Sequence, residues 1–506
     1  MNYRAVALWM VIGGILCSNA AIVAADGYFE IQVVDEQTGK GVPLVELKTV
    51  NHLRYVTDNA GRVAFYEPGL MNETVFFSVS SHGYEMKKDG FGIAGIRLEV
   101  KEGGRAEIKV KRLNIAERLY RSTGQGLYRD SVMLKKEVPL KEPLGMGGVV
   151  GQDSVSGVPY RGKIYWFWGD TSRISYPLGL FRMAGATSEL PGGAGLPFSE
   201  GIDYQYFTGK DGFCRAMVEV ANPEGVVWAF GFATVPDKAG NERLVCHYSR
   251  RKGLTGEMEH GMMVYNDERE IFEVATVLDL VEKWRFLDGQ PVKVSVDGVD
   301  YLYSGVPFPT VRVPATLEAV LDSTKYEAFR AEVKGGETRW QWTKDAGPSS
   351  VNEVWDWWKA GLMKGEQARF LPLDGGDPES KRRVRPHTGS VRWNPFRKKW
   401  VMIAVEHAYH EGKEYASPLG EVWYSEADAP EGPFEKAVKI LTHQRMTFYN
   451  PVHHDFFDEE GGRVIYFEGT YTNQFVESEP TPGYDYNQIM YRLDLNDPRL
   501  VKVFQQ

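Results

Sequence analysis

The stretch Ile164-Tyr165-Trp166-Phe167-Trp168-Gly169-Asp170 decides the fold class of this chain. It is a run of aromatic and apolar residues that stops at a glycine and an acid, as a buried strand does when it enters a turn. An apolar segment precedes it across the polar turn at Arg161-Gly162, so the two predict a β-hairpin. The same theme recurs at four later strands: Val227–Gly231, Tyr301–Gly305, Trp400–Glu406 and Val464–Gly469.

Five such hairpins within about 360 residues predict a five-bladed β-propeller with long loops. A large β-sandwich, or a six-bladed propeller with one degenerate blade, would also fit the pattern. The chain has 506 residues, of which 54 are glycine and 26 are proline, which suits an all-β protein with many tight turns. Its formal net charge of −9 disfavours a nucleic-acid partner.

The first 25 residues have the features of a secretory signal peptide. Arg4 precedes an apolar run over residues 5–16, and small residues follow up to Ala25. An uncleaved anchor helix is the alternative. We expect a secreted, periplasmic or cell-surface protein, and no later stretch is apolar enough to span a membrane once the signal is removed. In the mature chain, Cys214 and Cys246 either pair in an oxidising compartment or remain two buried free thiols.

Residues 26–112 alternate short strands with turn residues, which predicts a small β-sandwich. Residues 113–144 form a connector, and its first part, 113–121, has the pattern of a short amphipathic helix. The sandwich resembles the carboxypeptidase-regulatory-like module, a common accessory domain of secreted proteins. The resemblance rests on Val33-Val34-Asp35, Thr38-Gly39, Val42-Pro43 and Thr57-Asp58-Asn59-Ala60-Gly61-Arg62.

The propeller is predicted over residues 145–506, interrupted by a helical insertion at about 312–384. Ser350 and Glu353 have the spacing of a capping box, which marks the start of a helix. An apolar stripe follows at helical spacing: Val351, Val354, Trp355, Trp358 and Leu362.

The first hairpin also predicts a pair of carboxylates. If its turn is centred between Arg161 and Gly162, Asp153 faces Asp170 across the strand end. When two carboxylates lie so near each other, their repulsion raises the pKa of one of them. One residue type then supplies both an acid and a base, as glycoside hydrolysis requires. A pair of aspartates that only cap turns is the structural alternative.

The same construction places polar groups at the equivalent end of the other hairpins. It makes Arg215 face Phe232, Gln290 face Gly305, Arg385 face His407, and His453 face Glu468. Because a propeller gathers these ends around one mouth, we expect a single pocket there. Its predicted catalytic residues are Asp153, Asp170 and Glu468, and its predicted substrate-binding residues are Arg215, Gln290, Arg385, His387, His453 and Trp168.

Two segments resemble known glycosidase families. Gly151-Gln152-Asp153-Ser154, together with the strand ending at Asp170-Thr171, resembles the opening of five-bladed propeller glycosidases of the endo-D-arabinanase type. In that family both aspartates of the opening belong to the active site, so the resemblance implies catalytic roles for Asp153 and Asp170. Glu421-Val422-Trp423-Tyr424-Ser425, followed by Ala429-Pro430-Glu431-Gly432-Pro433-Phe434, resembles the blade ending of arabinanase and xylosidase-like propellers.

Other chemistries lack their usual motifs in this sequence. It has no nucleophile elbow, zinc-protease motif or phosphate-binding loop, and no cofactor or metal is predicted. His453 and His454 are adjacent in a strand, so their rings point to opposite faces. The sequence therefore predicts a secreted glycoside hydrolase whose partner is a carbohydrate. The alternatives are a non-catalytic glycan- or protein-binding propeller and a polysaccharide lyase that uses Arg385 and nearby histidines.

Overall fold

The computed structural model describes residues 27–254, 256–377, 379, 381–407, 418–444 and 446–504. The predicted signal peptide at 1–25 lies outside these residues and stays a prediction. No helix in the described ranges has the length and apolar character needed to cross a membrane.

Residues 29–112 form two four-stranded sheets that share one apolar core. Alternation along the strands builds this core: in Thr74–Ser80, for example, Val75, Phe77 and Val79 are buried and their neighbours are more exposed. A β-sandwich is thus present, while its membership of the carboxypeptidase-regulatory-like family stays a prediction. One sheet has the order β4-β1-β8-β6 and the other β3-β2-β5-β7. The strands are β1 (Phe29–Asp35), β2 (Glu46–Thr49), β3 (Arg54–Val56), β4 (Arg62–Phe65), β5 (Thr74–Ser80), β6 (Tyr84–Glu85), β7 (Gly95–Glu99) and β8 (Arg105–Arg112).

The connector contains a strand where a helix was expected. Residues Glu117–Arg121 form β9, all five of them are buried, and β9 pairs with the last strand of the final blade. The predicted amphipathic helix over 113–121 is therefore wrong, because this segment completes a sheet edge that would otherwise lack a partner. A short helix, α1 (Arg129–Met133), follows. The propeller consequently begins before residue 145, at β9.

The first blade has the order β11-β12-β15-β16. Its hairpin pairs Ser156 with Phe167 and Tyr160 with Lys163, which is the register predicted from the turn at Arg161-Gly162. A small sheet, β10-β13-β14, continues beyond the blade at the end that carries Asp153. The strands are β10 (Val149–Gln152), β11 (Ser156–Tyr160), β12 (Lys163–Trp168), β13 (Thr171–Arg173), β14 (Tyr176–Leu180), β15 (Ala184–Glu189) and β16 (Gln205–Tyr206).

The second blade differs from the prediction. Val227–Gly231 belongs to its innermost strand, and the residues around Pro223 connect the outer edge of the blade to that strand, so they are no hairpin turn. The true hairpin turn is at Asp237–Asn241, where the Asp237 carboxylate accepts the amides of Ala239 and Asn241. The order is β17-β21-β20-β19-β18, with β17 (Val218–Glu219), β18 (Val226–Pro236), β19 (Glu242–Lys252), β20 (Gly256–Asn266) and β21 (Ile271–Leu278).

The third blade takes up much of the predicted helical insertion. Its order is β22-β23-β24-β25-β26, and its last three strands occupy residues 311–343, so the insertion at 312–384 is wrong in its first half. The helix itself is confirmed: Ser350 and Glu353 form a complete capping box at its start. The elements are β22 (Val292–Val296), β23 (Val299–Ser304), β24 (Val311–Pro314), α2 (Leu317–Val320), β25 (Glu327–Lys334), β26 (Glu337–Thr343) and α3 (Val351–Lys359).

The last two blades close the ring. The fourth has the order β27-β31-β30-β29-β28, and the fifth has β32-β33-β34-β9, so β9 joins the two ends of the propeller chain. Its strands are β27 (Leu373–Asp374), β28 (Pro386–Asn394), β29 (Lys399–Glu406), β30 (Val422–Ala427), β31 (Lys436–Leu441), β32 (Thr447–His453), β33 (Val464–Thr472) and β34 (Asn487–Asp494), and α4 (Pro498–Phe504) follows.

Hydrogen bonds link each blade to the next. Trp228 of blade two reaches Asp170 of blade one, Gly231 bonds Gly289 before blade three, and Arg392 of blade four bonds Gln290. Asn394 of blade four bonds Gly462 of blade five, and blade five bonds back to blade one through Tyr449 and Asp153. Five such sheets in a closed ring confirm the five-bladed β-propeller over the sandwich and six-bladed alternatives. Cys214 and Cys246 are both buried and unpaired.

Candidate functional site

Asp153 and Asp170 lie opposite each other between two β-ladders. On one side Gln152 pairs with Thr171, and on the other Ser156 pairs with Phe167, so the register that aligns the two aspartates holds on both sides. The Gly169 amide donates to the Asp153 carbonyl at 2.8 Å. The predicted facing of Asp153 and Asp170 along the backbone is therefore confirmed, while the approach of their carboxylates and their chemical role stay predictions.

Three donors surround the Asp153 carboxylate. The Tyr449 hydroxyl donates to Asp153 Oδ2 at 2.7 Å, and the Tyr486 hydroxyl and the Asp170 backbone amide also lie beside this carboxylate and lower its pKa. A Cβ at Gly169 would lie 2.2 Å from Asp153 Oδ1, so only glycine leaves room for this arrangement. Burial raises the pKa of Asp153 from 3.8 to about 6; the charge of Asp170 adds to the rise, and the three hydrogen bonds oppose it.

Asp170 has a simpler environment. Trp228 Nε1 donates to Asp170 Oδ1 at 2.9 Å from the innermost strand of blade two. Burial raises the pKa of Asp170, and the Trp228 bond opposes that rise. The guanidinium of Arg251 lies 5.6 Å from the centre of the Trp228 ring. The two carboxylates are thus held in different surroundings, as an acid and a base require.

The fourth and fifth blades meet blade one at the same level. Asn450 Nδ2 donates to Ser154 Oγ at 2.8 Å, and the Asn450 amide donates to Thr388 Oγ1 at 3.2 Å. Phe475, which is 72% exposed, packs edge-on against Tyr449 with ring centres 5.9 Å apart. We call this end of the propeller, which carries both aspartates and the exposed ring of Phe475, the mouth.

The predicted facing of Gln290 and Gly305 is wrong, because Gly289 forms the β-bridge with Gly305, and Gln290 instead bonds to the neighbouring blades. The side-chain amide of Gln290 donates to Ser156 Oγ at 3.2 Å and to the Val155 carbonyl at 3.4 Å. The backbone carbonyl of Gln290 accepts from Arg392 Nη1 at 2.9 Å. Gln290 therefore ties blade three to blades one and four. Ser156 lies three residues after Asp153 in the chain, so Gln290 contacts the same hairpin as Asp153.

Arg385 and His387 lie on blade four near Thr388. The predicted facing of Arg385 and His407 is confirmed, since the His407 amide donates to the Arg385 carbonyl at 2.8 Å. The Arg385 guanidinium donates to Asn352 Oδ1 at 2.8 Å and lies 5.3 Å from the Trp355 ring, both on α3. His387 is exposed and packs edge-on against His407. A role for Arg385 and His387 in substrate binding stays a prediction.

Two predicted binding residues lie away from this mouth. Arg215 donates to the Glu270 carbonyl at 2.9 Å, close to the outer strands of blade two, because the hairpin assumed for it does not form. Trp168 is fully buried and packs against Tyr204 and stacks on Tyr206. Neither Arg215 nor Trp168 belongs to the site.

The fifth hairpin is shifted by one residue from the prediction. Val452 pairs with Glu468 and His453 pairs with Phe467, so His453 does not face Glu468. Glu468 is fully buried and accepts Ser122 Oγ at 2.7 Å and contacts His454 Nε2 at 3.0 Å. His453 is also fully buried and bonds Asp458 Oδ1 at 2.8 Å. Glu468 and His453 are structural, and the predicted divergence of the His453 and His454 rings is confirmed.

Sequence reasoning missed the residues that hold the two aspartates. Trp228 was assigned to a second strand, whereas it lies on an innermost strand. Tyr449 lies on the first strand of the fifth hairpin, where the register was wrong. Tyr486 lies at the end of a long loop. Gly151 is the one sequence signal of how closely this loop approaches, because a Cβ at that position would lie 2.6 Å from the Tyr486 carbonyl.

The larger described cavity, of about 650 Å³, lies at the opposite end of blades one and two. It lies among the hairpin turns at Arg161, Asp237 and Asp267 and contains two ion pairs, Arg161 with Asp267 at 3.0 Å and Arg243 with Asp237 at 3.8 Å. We therefore place the candidate site at the two aspartates and not in this larger cavity. Within the described ranges no group of three or more His, Cys, Asp or Glu residues is arranged to hold a metal ion.

No protein-family model and no curated protein matches the sequence of this chain. Solved structures match its fold. An exo-1,5-α-L-arabinanase from a bovine ruminal metagenomic library is 11% identical, over 68% of this chain and 93% of that chain, with a TM-score of 0.35.

Two further matches cover slightly more of this chain. A family 117 glycoside hydrolase from the marine bacterium Zobellia galactanivorans is 12% identical over 76% of this chain and 93% of that chain, with a TM-score of 0.35. An N-acetylgalactosamine deacetylase from F. plautii is 11% identical over 77% of this chain and 98% of that chain, with a TM-score of 0.37. At these scores the likenesses carry no argument about the activity of this chain, which rests on its own residues.

Proposed function

We propose that this protein is a glycoside hydrolase that cleaves a poly- or oligosaccharide with Asp153 and Asp170. One observation carries the proposal: two aspartates at facing backbone positions, both with raised pKa values, lie at the same end of the propeller. Paired carboxylates of this kind perform glycosidic cleavage in most known glycosidases. The half-buried ring of Trp228 and the exposed ring of Phe475 suit the apolar faces of a sugar.

The different surroundings assign the two roles. Asp153, whose pKa is about 6, holds a proton in mildly acidic solution and donates it to the oxygen of the leaving sugar. Asp170 has one of two roles. It takes a proton from the water that attacks the anomeric carbon, or it attacks that carbon itself and forms a covalent bond that water then hydrolyses. Activity then falls as the pH rises above about 6, because Asp153 loses its proton.

The dependence of the rate on the leaving group tests these roles. Asp153→Asn should lose activity on natural glycans but retain much of it on aryl glycosides with acidic phenols, which need no proton to depart. Asp170→Asn should lose activity on both. Full activity of either folded variant on a natural glycan would refute the proposal. The anomer formed first, followed by NMR, distinguishes the water route from the covalent route.

A non-catalytic carbohydrate-binding propeller is the second candidate. The three donors around Asp153 favour it, because a carboxylate that caps backbone and hydroxyl groups needs no chemical role. Under this alternative a glycan binds, remains uncut after long incubation, and binds equally well to Asp170→Asn.

A polysaccharide lyase stays the third candidate, because the exposed His387 packs against His407 beside Arg385. Such an enzyme would release an unsaturated product that absorbs in the ultraviolet. His443, His453 and His454 are buried with partners and lie outside this group.

We also propose that the chain is exported, on the strength of the charged, apolar and small-residue regions of residues 1–25. Mass spectrometry of the mature protein should find Asp26 at its N-terminus. A mature protein that retains residues 1–25 would contradict this proposal.

A further inference from the structure

The loop over residues 473–486 links the candidate site to the N-terminal sandwich. It connects β33 to β34 and carries Phe475 near one end and Tyr486 at the other. The Asn473 amide donates to Asp485 Oδ1 at 2.7 Å, which joins the two ends of the loop. What fixes this loop therefore also fixes Tyr486.

The sandwich contacts the loop directly. The Tyr484 hydroxyl, which is buried, donates to the Thr57 carbonyl at 2.7 Å. Arg54 forms an ion pair with Glu479 at 3.0 Å near the exposed side of the loop. The buried bond is the stronger anchor, since an exposed ion pair contributes little and is screened by salt.

Arg121 of β9 strengthens the same anchor. Its guanidinium donates to the Gly483 carbonyl and lies 4.9 Å from the centre of the Tyr484 ring. Asn59 of the sandwich holds the backbone of Arg121 on both sides, donating to its carbonyl and accepting its amide, each at 2.9 Å. The sandwich thus fixes Arg121 and Tyr484 together.

Tyr486 transmits this position to the carboxylate pair. Its hydroxyl lies beside the Asp153 carboxylate and lowers the pKa of that group, and its backbone carbonyl accepts the Gln152 backbone amide at 2.8 Å. Its backbone φ is +59°, a left-handed conformation that costs free energy in a tyrosine and persists only when surrounding contacts impose it. Those contacts come from Gln152 on one side and from the anchored loop on the other.

We propose that the N-terminal sandwich is a positioning element for the active site: through Tyr484 it holds the 473–486 loop so that the Tyr486 hydroxyl stays beside Asp153. The inference deepens the proposed hydrolase function and rests on it. Tyr484 is a positioning residue, because it acts on Asp153 only through Tyr486.

Tyr484→Phe tests the inference, with Tyr120→Phe as its matched control. Both tyrosines are buried, and each donates its hydroxyl to a backbone carbonyl, Tyr120 to Phe198 at 2.6 Å. Tyr484→Phe should speed hydrogen exchange of the 473–486 amides by about fivefold or more, and Tyr120→Phe should leave it unchanged. It should also lower kcat/KM by about tenfold.

The pH profile separates positioning from a general loss of stability. A hydrogen bond to the carboxylate lowers its pKa, so weakening the Tyr486 bond should move the alkaline limb of the profile upward by about half a unit. Tyr120→Phe should leave that limb in place. Equal exchange and equal pH profiles for the two variants would overturn the inference.

A second pair covers the case in which Tyr484→Phe does not fold. Asn59→Ala removes the two bonds to Arg121, and Asn114→Ala removes two similar bonds to Thr442, at 3.1 and 3.5 Å, which do not involve the loop. Only Asn59→Ala should speed exchange of residues 473–486. If the wild type cleaves no glycan, the proposed function fails, while the exchange data still decide whether the sandwich anchors the loop.

Discussion

The first hairpin of blade one and the first hairpin of blade five carry acids that look equivalent in sequence. In blade one Asp153 and Asp170 reach the mouth, are partly exposed, and have raised pKa values. In blade five Glu468 is fully buried between Ser122 and His454. The comparison shows that an acid near a hairpin end becomes a functional candidate only where part of it stays exposed.

The covering elements explain the difference. In blade five the chain runs from β9 into Ser122, and the Ser122 hydroxyl bonds Glu468. In blade one Gly169 adds no side chain over Asp153. A buried acid that is fully hydrogen-bonded stabilises the fold, whereas a partly exposed acid next to a second acid destabilises it and is available for chemistry.

The largest expected effect on this comparison is on activity. Asp170→Asn should lower kcat on a natural glycan by about 1,000-fold or more, because it removes one member of the acid–base pair. Glu468→Gln, its counterpart in blade five, should change kcat less than about threefold. Steady-state kinetics of the two purified variants measure both, and a large loss in a folded Glu468→Gln would return Glu468 to the catalytic site.

Stability should show the reverse pattern. Glu468→Ala leaves Ser122 and His454 without their buried partner, and we expect it to lower the free energy of unfolding by about 3 kcal/mol. Glu337→Ala, at an exposed strand position, is the control and should change it by less than about 0.5 kcal/mol. Urea denaturation measures both. An unchanged midpoint for Glu468→Ala would show that the buried network contributes nothing.

At neutral pH the Asp153 carboxylate should lower the free energy of unfolding, whereas Glu468 raises it. Because its pKa is raised from 3.8 to about 6 in the folded state, folding favours its protonated form. Its contribution to stability is fully present below about pH 4 and is lost as the pH rises through 6. Asp153→Asn, which stays neutral, should therefore be more stable than the wild type by about 1 to 2 kcal/mol above pH 7 and equal to it near pH 4. Lower stability of Asp153→Asn at pH 7 would favour the turn-capping role.

The smallest effect concerns the ring beside the pair. Phe475→Ala should raise KM for an oligosaccharide by about fivefold with little change in kcat, since stacking contributes to binding in the ground state and the transition state alike. Phe91→Ala is the matched control, because Phe91 is 93% exposed in the sandwich, away from the mouth. An equal KM for both variants would remove Phe475 from the substrate path.

The predicted hairpin registers were right where a two-residue turn specifies them. At Arg161-Gly162 and at Asp297-Gly298 both residues have positive φ, and such turns leave no freedom in the pairing of the strands. In blade five the strands are joined by a longer loop with two short 3-10 turns, so one extra residue shifted Glu468 relative to His453. In blade two the wrong turn was chosen, which misplaced Arg215.

The all-β propeller, the helix at Ser350 and the facing of Asp153 and Asp170 follow from the amino-acid sequence alone, because alternation, capping and tight turns are local properties of the chain. The remaining features depend on long-range packing. The burial of Glu468 under β9, the delivery of Trp228, Tyr449 and Tyr486 to the two aspartates, and the anchoring of Tyr484 by the sandwich all join segments distant in sequence. Such contacts follow from how sheets pack in three dimensions, which no local pattern records.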